Sequence, residues 1–155
     1  MKIGKIVGGS ARDGAMLKKK FERALPGVAK LREGIAATTT ARGGWLKGLD
    51  GRILRVRSAH SALNTLLQSA GAVVMKKALC ILDEDLQALG LRHCGVDYEF
   101  ALQIHDEMQI EVREKLAETV GKMAVRAIEK AGEALGFRCP LTGEFHVGKT
   151  WAETH

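Results

Sequence analysis

The sequence has few cysteines, no long apolar run and no repeated or low-complexity segment, and each absence excludes a class of protein. Cys80, Cys94 and Cys139 are odd in number and include no Cys-x-x-Cys pair, so neither a disulfide framework nor a zinc site is indicated. No apolar run approaches the roughly 18 to 20 residues of a membrane span, and residues 1–5 lack the apolar core of a signal peptide. We therefore expect a soluble protein in a reducing, intracellular compartment.

The composition is that of a folded domain with an excess of positive charge. The chain has 155 residues, of which 46% are apolar, enough for one domain with a true core. Twenty-four Lys and Arg against 18 Asp and Glu give a net charge of +6. This charge suits an anionic partner such as nucleic acid, although charge alone does not identify one.

The periodicity of the apolar residues predicts an α+β domain. Helical patterns run over 11–25, where Ser10 is the expected N-cap, and over 26–40, 59–89 and 115–135. Asp50-Gly51 predicts a first hairpin, and 144–148 a last strand. Helices and antiparallel hairpins that alternate in this way predict a small antiparallel sheet with long helices packed on one face.

The stretch 100–112 organises the rest of the sequence. Its apolar residues fall on even positions on both sides of the polar triplet His105-Asp106-Glu107, which is the period of half-buried strands. We predict two short antiparallel strands that reverse at the triplet. Rigid carboxylates at the end of a sheet suit a divalent metal, so Asp106 and Glu107 are candidate ligands. The alternative is that Asp106 is an ordinary turn residue, and the triplet alone leaves both interpretations open.

Two further groups of side chains are candidate DNA contacts. His60, Asn64 and Gln68 are spaced four apart and form a polar stripe on the predicted third helix. Such side chains could reach minor-groove acceptors, which all base pairs present in similar positions, but a solvated helix face is the alternative. The predicted first hairpin carries dense positive charge, which fits contacts to a phosphate backbone or an exposed, charged edge; its cations are Lys47, Arg52, Arg55 and Arg57.

Several stretches, in the expected order, resemble the C-terminal part of family A DNA polymerases, and most closely those of small tailed phages. Residues 63–72, LNTLLQSAGA, resemble the family's Asn-x-x-x-Gln helix, and residues 104–107, IHDE, resemble its motif C hairpin. Residues 45–52 together with 56–60 resemble the phage hairpin that leads into that helix, and 151–155 resemble the family's terminal Trp…His. The resemblance covers essentially the whole chain and implies a partial polymerase domain, in which 1–44 derive from the fingers and 45–155 from the palm.

The resemblance assigns roles to the candidate residues. It implies that Asp106, Glu107 and His105 belong to a catalytic site, with Asp106 and Glu107 at Mg²⁺. It also implies that the DNA-binding residues contact primer-template DNA; they are His60, Asn64, Gln68, Arg57, Arg52 and Lys47. Two-metal nucleotidyl transfer needs a second carboxylate source, and neither the family's motif A nor its motif B is recognisable in this sequence.

We therefore expect the chain to be inactive alone and to complete a polymerase site in trans with a complementary chain that carries motifs A and B. Self-association through exposed apolar surface is a further expectation, and the expected location is the cytoplasm, that of the host cell if the chain is phage-encoded. One alternative is a noncatalytic DNA-binding or interaction protein that retains the fold. A metal-dependent hydrolase built on His105 and Asp106 is a poorer hypothesis, because no second ligand cluster accompanies them.

Overall fold

The computed structural model describes Ile6 and residues 8–155. The chain divides into two compact units, Met1–Leu67 and Gln68–His155. Both contain helices and one two-stranded antiparallel sheet, so the α+β class is confirmed. Residues 1–5, which were expected not to form a signal peptide, lie outside the described residues.

The first unit opens with two helices whose starts are set by local signals. Helix α1, Ala11–Ala24, begins with a capping box, in which the Asp13 amide donates to Ser10 Oγ at 3.3 Å and the Ser10 amide donates to Asp13 Oδ2 at 2.8 Å. Helix α2, Pro26–Ala41, begins with proline at its first position, where no intrahelical N–H is needed. Arg32 Nη2 donates to Glu22 Oε1 at 3.1 Å and joins the two helices.

The predicted first hairpin follows α2. Strand β1, Trp45–Lys47, pairs with β2, Ile53–Arg55, with Leu46 opposite Leu54. Gly51 adopts a φ of 86° in the connecting turn, a conformation that residues with a Cβ rarely adopt. Leu46 is buried, whereas Ile53 is 70% exposed, so only one side of this hairpin contributes to the core of the unit.

The third helix starts later than predicted and buries fewer leucines. A 3₁₀ turn, Ala59–Ser61, precedes α3, Ala62–Ala88, and the Ser58 hydroxyl forms no helix cap but meets Ser61 Oγ at 3.3 Å. The leucines spaced along 59–89 predict a buried helix face that includes Leu67 and Leu89, but these two side chains are 60% and 62% exposed.

The expectation that no stretch approaches the length and apolarity of a membrane span is wrong for residues 59–88. With a mean hydropathy of 1.4 over its most apolar window, this stretch is long and apolar enough to cross a membrane by length and composition alone. Core helices of soluble proteins meet the same criteria. Ala78, Leu82 and Leu86 within this stretch are fully buried against other elements of the second unit.

The core of the second unit lies between α3, the second hairpin and α4, Ala117–Ala134. Helix α4 is preceded by a 3₁₀ turn, Glu114–Leu116, and ends before Gly136, which has a φ of 71°. The buried residues that pack together in one cluster there are small or branched apolar side chains and one tyrosine: Val74, Ala78, Leu82, Leu86, Tyr98, Val120, Ala127 and Ala131.

The second hairpin contains a bulge that changes which side chains share a face. Strand β3, Tyr98–Ile104, pairs with β4, Glu107–Val112, and the register shifts between Phe100 and Leu102. Ala101 is therefore an extra residue in β3. Beyond it Leu102 lies opposite Gln109 and Ile104 opposite Glu107, so the even-numbered apolar residues do not form the single stripe that their spacing predicted.

The base of this hairpin is closed by Asp97. Its Oδ2 accepts the Arg92 amide at 3.0 Å, and its Oδ1 lies 3.4 Å from Arg113 Nε. The Arg113 amide also donates to the Asp97 carbonyl at 3.2 Å. The Arg92 backbone N–H, assisted by the Arg113 charge, lowers the pKa of Asp97.

The predicted last strand is wrong, because residues 144–148 have no regular structure. The segment packs across α4 instead of pairing with a strand. Leu141 lies against Gly132, where a Cβ would meet Leu141 Cγ at 3.0 Å, and the Phe145 ring occupies the space beside Gly121 that a Cβ would need. A short helix, α5, Trp151–Thr154, follows.

Two matched glycine substitutions test this packing. Gly71→Ala in α3 meets no atom within 4 Å, so it should raise the free energy of unfolding by about 0.5–1 kcal/mol through helix propensity. Gly121→Ala gains the same propensity but collides with Phe145, and overpacking costs about 1–3 kcal/mol. Denaturant unfolding should therefore show a higher free energy of unfolding for Gly71→Ala and a lower one for Gly121→Ala than for the parent. Equal stabilisation by both would contradict the docking of Phe145.

The lowered pKa of Asp97 predicts how the stability of the fold depends on pH. Because the folded pKa lies below the unfolded value of about 3.9, the stabilisation is complete above that value and is lost as pH falls through the folded pKa. Asp97→Asn should lower the unfolding temperature at pH 7 and reduce the loss of stability on acidification. Glu118→Gln removes an exposed ion pair with Lys122 and should match the parent in a thermal melt at each pH.

Candidate functional site

The tip of the second hairpin presents the predicted polar residues, with one change in their placement. The chain reverses at His105 and Asp106, whereas Glu107 is already the first residue of β4 and pairs with Ile104. His105 adopts a φ of 52°, a left-handed conformation in which histidine is among the more tolerated side chains. His105 and Asp106 are both exposed.

Asp106 and Glu107 have different surroundings although they are adjacent. Among the described residues, no hydrogen bond or ion pair engages the Asp106 carboxylate. Glu107, in contrast, accepts a hydrogen bond from Trp151 Nε1 on its Oε1 at 3.2 Å, and its Oε2 lies 2.8 Å from His155 Nδ1. Gln109 Nε2 also donates to Glu107 Oε1.

These donors stabilise the ionised form of Glu107. The hydrogen bond from Gln109, followed by that from His155, lowers the pKa of Glu107, and the carboxylate is ionised at neutral pH, as an ordinary glutamate is. Since an ionised carboxylate only accepts, His155 must carry a proton on Nδ1. Glu107 is a charged, oriented group at the tip, and its oxygens are already hydrogen-bonded.

The contacts of the last helix are what the sequence did not predict. The resemblance of residues 151–155 to the family's terminal Trp…His predicts no contact partner for Trp151 or His155. Thr154 Oγ1 also donates to Gln109 Oε1 at 3.1 Å. The contacts join residues 44 to 48 positions apart, a separation at which no local pattern is available to predict them.

The predicted polar stripe is exposed. His60 lies in the 3₁₀ turn before α3, and Asn64 and Gln68 lie four residues apart in α3 itself. All three side chains are exposed, and no hydrogen bond to another described side chain engages them. Their donors and acceptors are therefore accessible to an external ligand.

The cations of the first hairpin differ in how much of their charge is available. Arg52 is held by Asp50, with Nη2 at 2.6 Å and Nε at 2.8 Å from Asp50 Oδ2, and these bonds lower the pKa of Asp50. Lys47, Arg55 and Arg57 are exposed and form no ion pair with other described residues. Arg52 therefore offers less positive charge to an external anion than Lys47, Arg55 and Arg57 do.

As a magnesium site, the tip offers Asp106 as one accessible carboxylate, whose hard oxygens are suitable ligands. Glu107 is the nearest second carboxylate, but its oxygens are hydrogen-bonded. The described residues contain no group of three or more His, Cys, Asp or Glu side chains that could hold a metal. The donor set fits part of a metal site, with ligands required from elsewhere.

Comparison with known proteins places the chain in a family. The family model for DNA polymerase family A matches residues 19–153. The DNA-directed DNA polymerases of Enterobacteria phage T3 and Escherichia phage T7 are 44% and 42% identical to this chain over 99% of its length. DNA polymerase I of Pseudomonas aeruginosa is 33% identical over 91%.

These relatives are much longer than this chain, which spans 24% of each phage enzyme and 16% of the Pseudomonas enzyme. Among solved structures, the POL domain of Pol1 from M. smegmatis in complex with DNA primer-template and dNTP is similar in fold. It has a TM-score of 0.70 and 18% identity, and the similarity covers 83% of this chain and 24% of that one. On the family match and the phage relatives together, this chain belongs to DNA polymerase family A.

Proposed function

We propose that these 155 residues supply the motif C carboxylate and primer-template contacts of a family A DNA-directed DNA polymerase. The observation that carries the proposal is the exposed Asp106 at the two-residue reversal between β3 and β4, in a chain that belongs to this family. The site would be completed by polypeptide that carries motifs A and B. Because two relatives are phage enzymes, we place this activity in the host-cell cytoplasm.

Asp106 is the proposed ligand of Mg²⁺, with Glu107 either an auxiliary ligand or a group acting through water, and His105 flanks them at the turn. When bound, the ions would lower the pKa of the primer 3′-hydroxyl and neutralise the leaving pyrophosphate. The part of this chain is to hold Asp106 at a rigid hairpin tip. Alone, one or two carboxylates hold Mg²⁺ weakly, since the ion keeps most of its waters, so the isolated chain is proposed to be inactive.

The DNA contacts are proposed to be of two kinds. His60, Asn64 and Gln68 would reach minor-groove acceptors, which suits a protein that binds DNA regardless of sequence. Lys47 and Arg57 would contact phosphates, an interaction that releases counterions and weakens with salt. Arg52 would contribute less, because Asp50 already neutralises it.

Binding to a primer-template duplex tests the two kinds of contact separately. Asn64→Ala and Gln68→Ala should each weaken binding about 2- to 10-fold, the loss expected for one hydrogen bond, with the salt dependence unchanged. Lys47→Ala and Arg57→Ala should each reduce the slope of log affinity against log salt by about one, and Arg52→Ala by less. Fluorescence anisotropy over a salt series measures both quantities.

Gln87→Ala is the control for this series, since Gln87 is an exposed amide on the same helix whose Nε2 is bonded to Asp83. It should bind DNA as the parent does. Equal weakening by Gln87→Ala and Asn64→Ala would contradict a specific stripe on α3.

Primer extension tests the proposed carboxylate. The chain is mixed with a polypeptide that carries the family's motifs A and B, and extension is measured with Mg²⁺. Asp106→Ala should lower the rate by more than about 100-fold, because a metal ion supplies several kcal/mol of charge stabilisation. Glu111→Ala, on the exposed side of β4, should extend as the parent does.

The proposal fails if the mixture extends no better than the partner alone, or if Asp106→Ala is as active as the parent. Retention of primer-template binding in that case would favour the alternative function, a noncatalytic DNA-binding protein with a polymerase fold.

A further inference from the structure

The helix α5 and His155 contact the strand that carries Glu107. Trp151 Nε1 and His155 Nδ1 each engage an oxygen of Glu107, and Thr154 Oγ1 donates to Gln109 Oε1. Gln109 Nε2 in turn donates to Glu107. The two rings stack edge to face, with 5.4 Å between the centroids of Trp151 and His155. These five side chains form one connected network on β4.

The position of α5 is determined by the segment before it and not by its own helix propensity. Four residues are too few for a helix to be stable alone in water. Leu141 and Phe145 hold the preceding segment on α4 beside Gly132 and Gly121. Lys149 then donates its backbone N–H to Glu153 Oε2 at 2.7 Å at the start of the helix. The packing of the preceding segment on α4 thus places α5 where it can contact β4.

The network uses the acceptor capacity of Glu107. Its Oε1 accepts from two donors and its Oε2 from one, so direct coordination of a metal would break charge-assisted hydrogen bonds. Asp106, one residue away, is exposed and has no such contact with the described residues. Asp106 can therefore coordinate an ion without breaking a hydrogen bond to the described residues, whereas Glu107 cannot.

We propose that Trp151, Thr154 and His155 form a clasp that orients Glu107 and Gln109, and that Glu107 is a positioning residue for the hairpin tip, leaving Asp106 as the carboxylate that contacts a divalent ion. The clasp rests on the contacts alone. The assignment of the metal to Asp106 rests on the proposed function, and the clasp argues against direct coordination of the ion by Glu107 because the oxygens of Glu107 are already hydrogen-bonded.

The indole N–H resonances test the clasp without any activity. The chain has two tryptophans, Trp45 and Trp151, so Trp45→Phe assigns the signal of Trp151. Glu107→Ala should move the Trp151 signal upfield, because the N–H loses its acceptor, whereas Glu107→Gln retains an acceptor oxygen and should move it less. Asp106→Ala is the matched control and should leave it in place. An unchanged signal in Glu107→Ala, or an equal shift in Asp106→Ala, overturns the clasp.

Primer extension in the completed site then separates positioning from direct ligation. If Glu107 positions the tip, Glu107→Gln should retain more activity than Glu107→Ala. Trp151→Phe should lower extension, and adding it to Glu107→Ala should cause no further loss, because both changes break one network. Equal losses in Glu107→Gln and Glu107→Ala, with full activity in Trp151→Phe, would overturn the positioning role. Full activity in Asp106→Ala would instead refute the proposed function, and the indole signal would still decide the clasp.

Discussion

The hairpin β3–β4 depends on the burial of Tyr98 at its base. A two-stranded hairpin is marginally stable in water, so its tip has a defined direction only if the base is anchored. Tyr98 is 1% exposed, and its hydroxyl donates to Asp83 Oδ1 at 2.6 Å. Burial, with this bond, raises the pKa of Tyr98 to about 12, and the protonated phenol is the donor to Asp83 at neutral pH. The anchor connects the tip to α3 and the core.

The bulge at Ala101 shifts the strand pairing between the anchored base of the hairpin and its tip. Phe100 pairs with Ile110 below the bulge, whereas Leu102 pairs with Gln109 above it. Since paired residues project to the same face, Gln109 shares a face with Leu102, which is 46% exposed. The apolar pair Phe100 and Ile110 therefore lies at the base, whereas apolar and polar residues share one face near the tip. On that face Glu107 and Gln109 contact Trp151 and Thr154.

The electrostatics of the molecule are decided by which charges are already paired. Arg52 is neutralised by Asp50, and Glu107 is engaged by Trp151 and His155. The number of cations and the number of carboxylates therefore overstate how many charged groups are available to DNA and to a metal ion. The proposed function relies on the side chains without such partners among the described residues, above all Asp106. The inferred clasp explains why Glu107 is hydrogen-bonded while the adjacent Asp106 is exposed.

The sequence by itself determined the elements whose causes are local. The capping box at Ser10, Pro26 at the start of α2 and Gly136 after α4 act within one helical turn, and the reversal at Asp106 follows from strand periodicity on both sides. The tertiary structure alone decided that Leu67 is exposed and that residues 144–148 form no strand, because burial depends on which elements meet. It also decided the contact between Glu107 and Trp151, since residues that distant meet only after the intervening segment docks on α4.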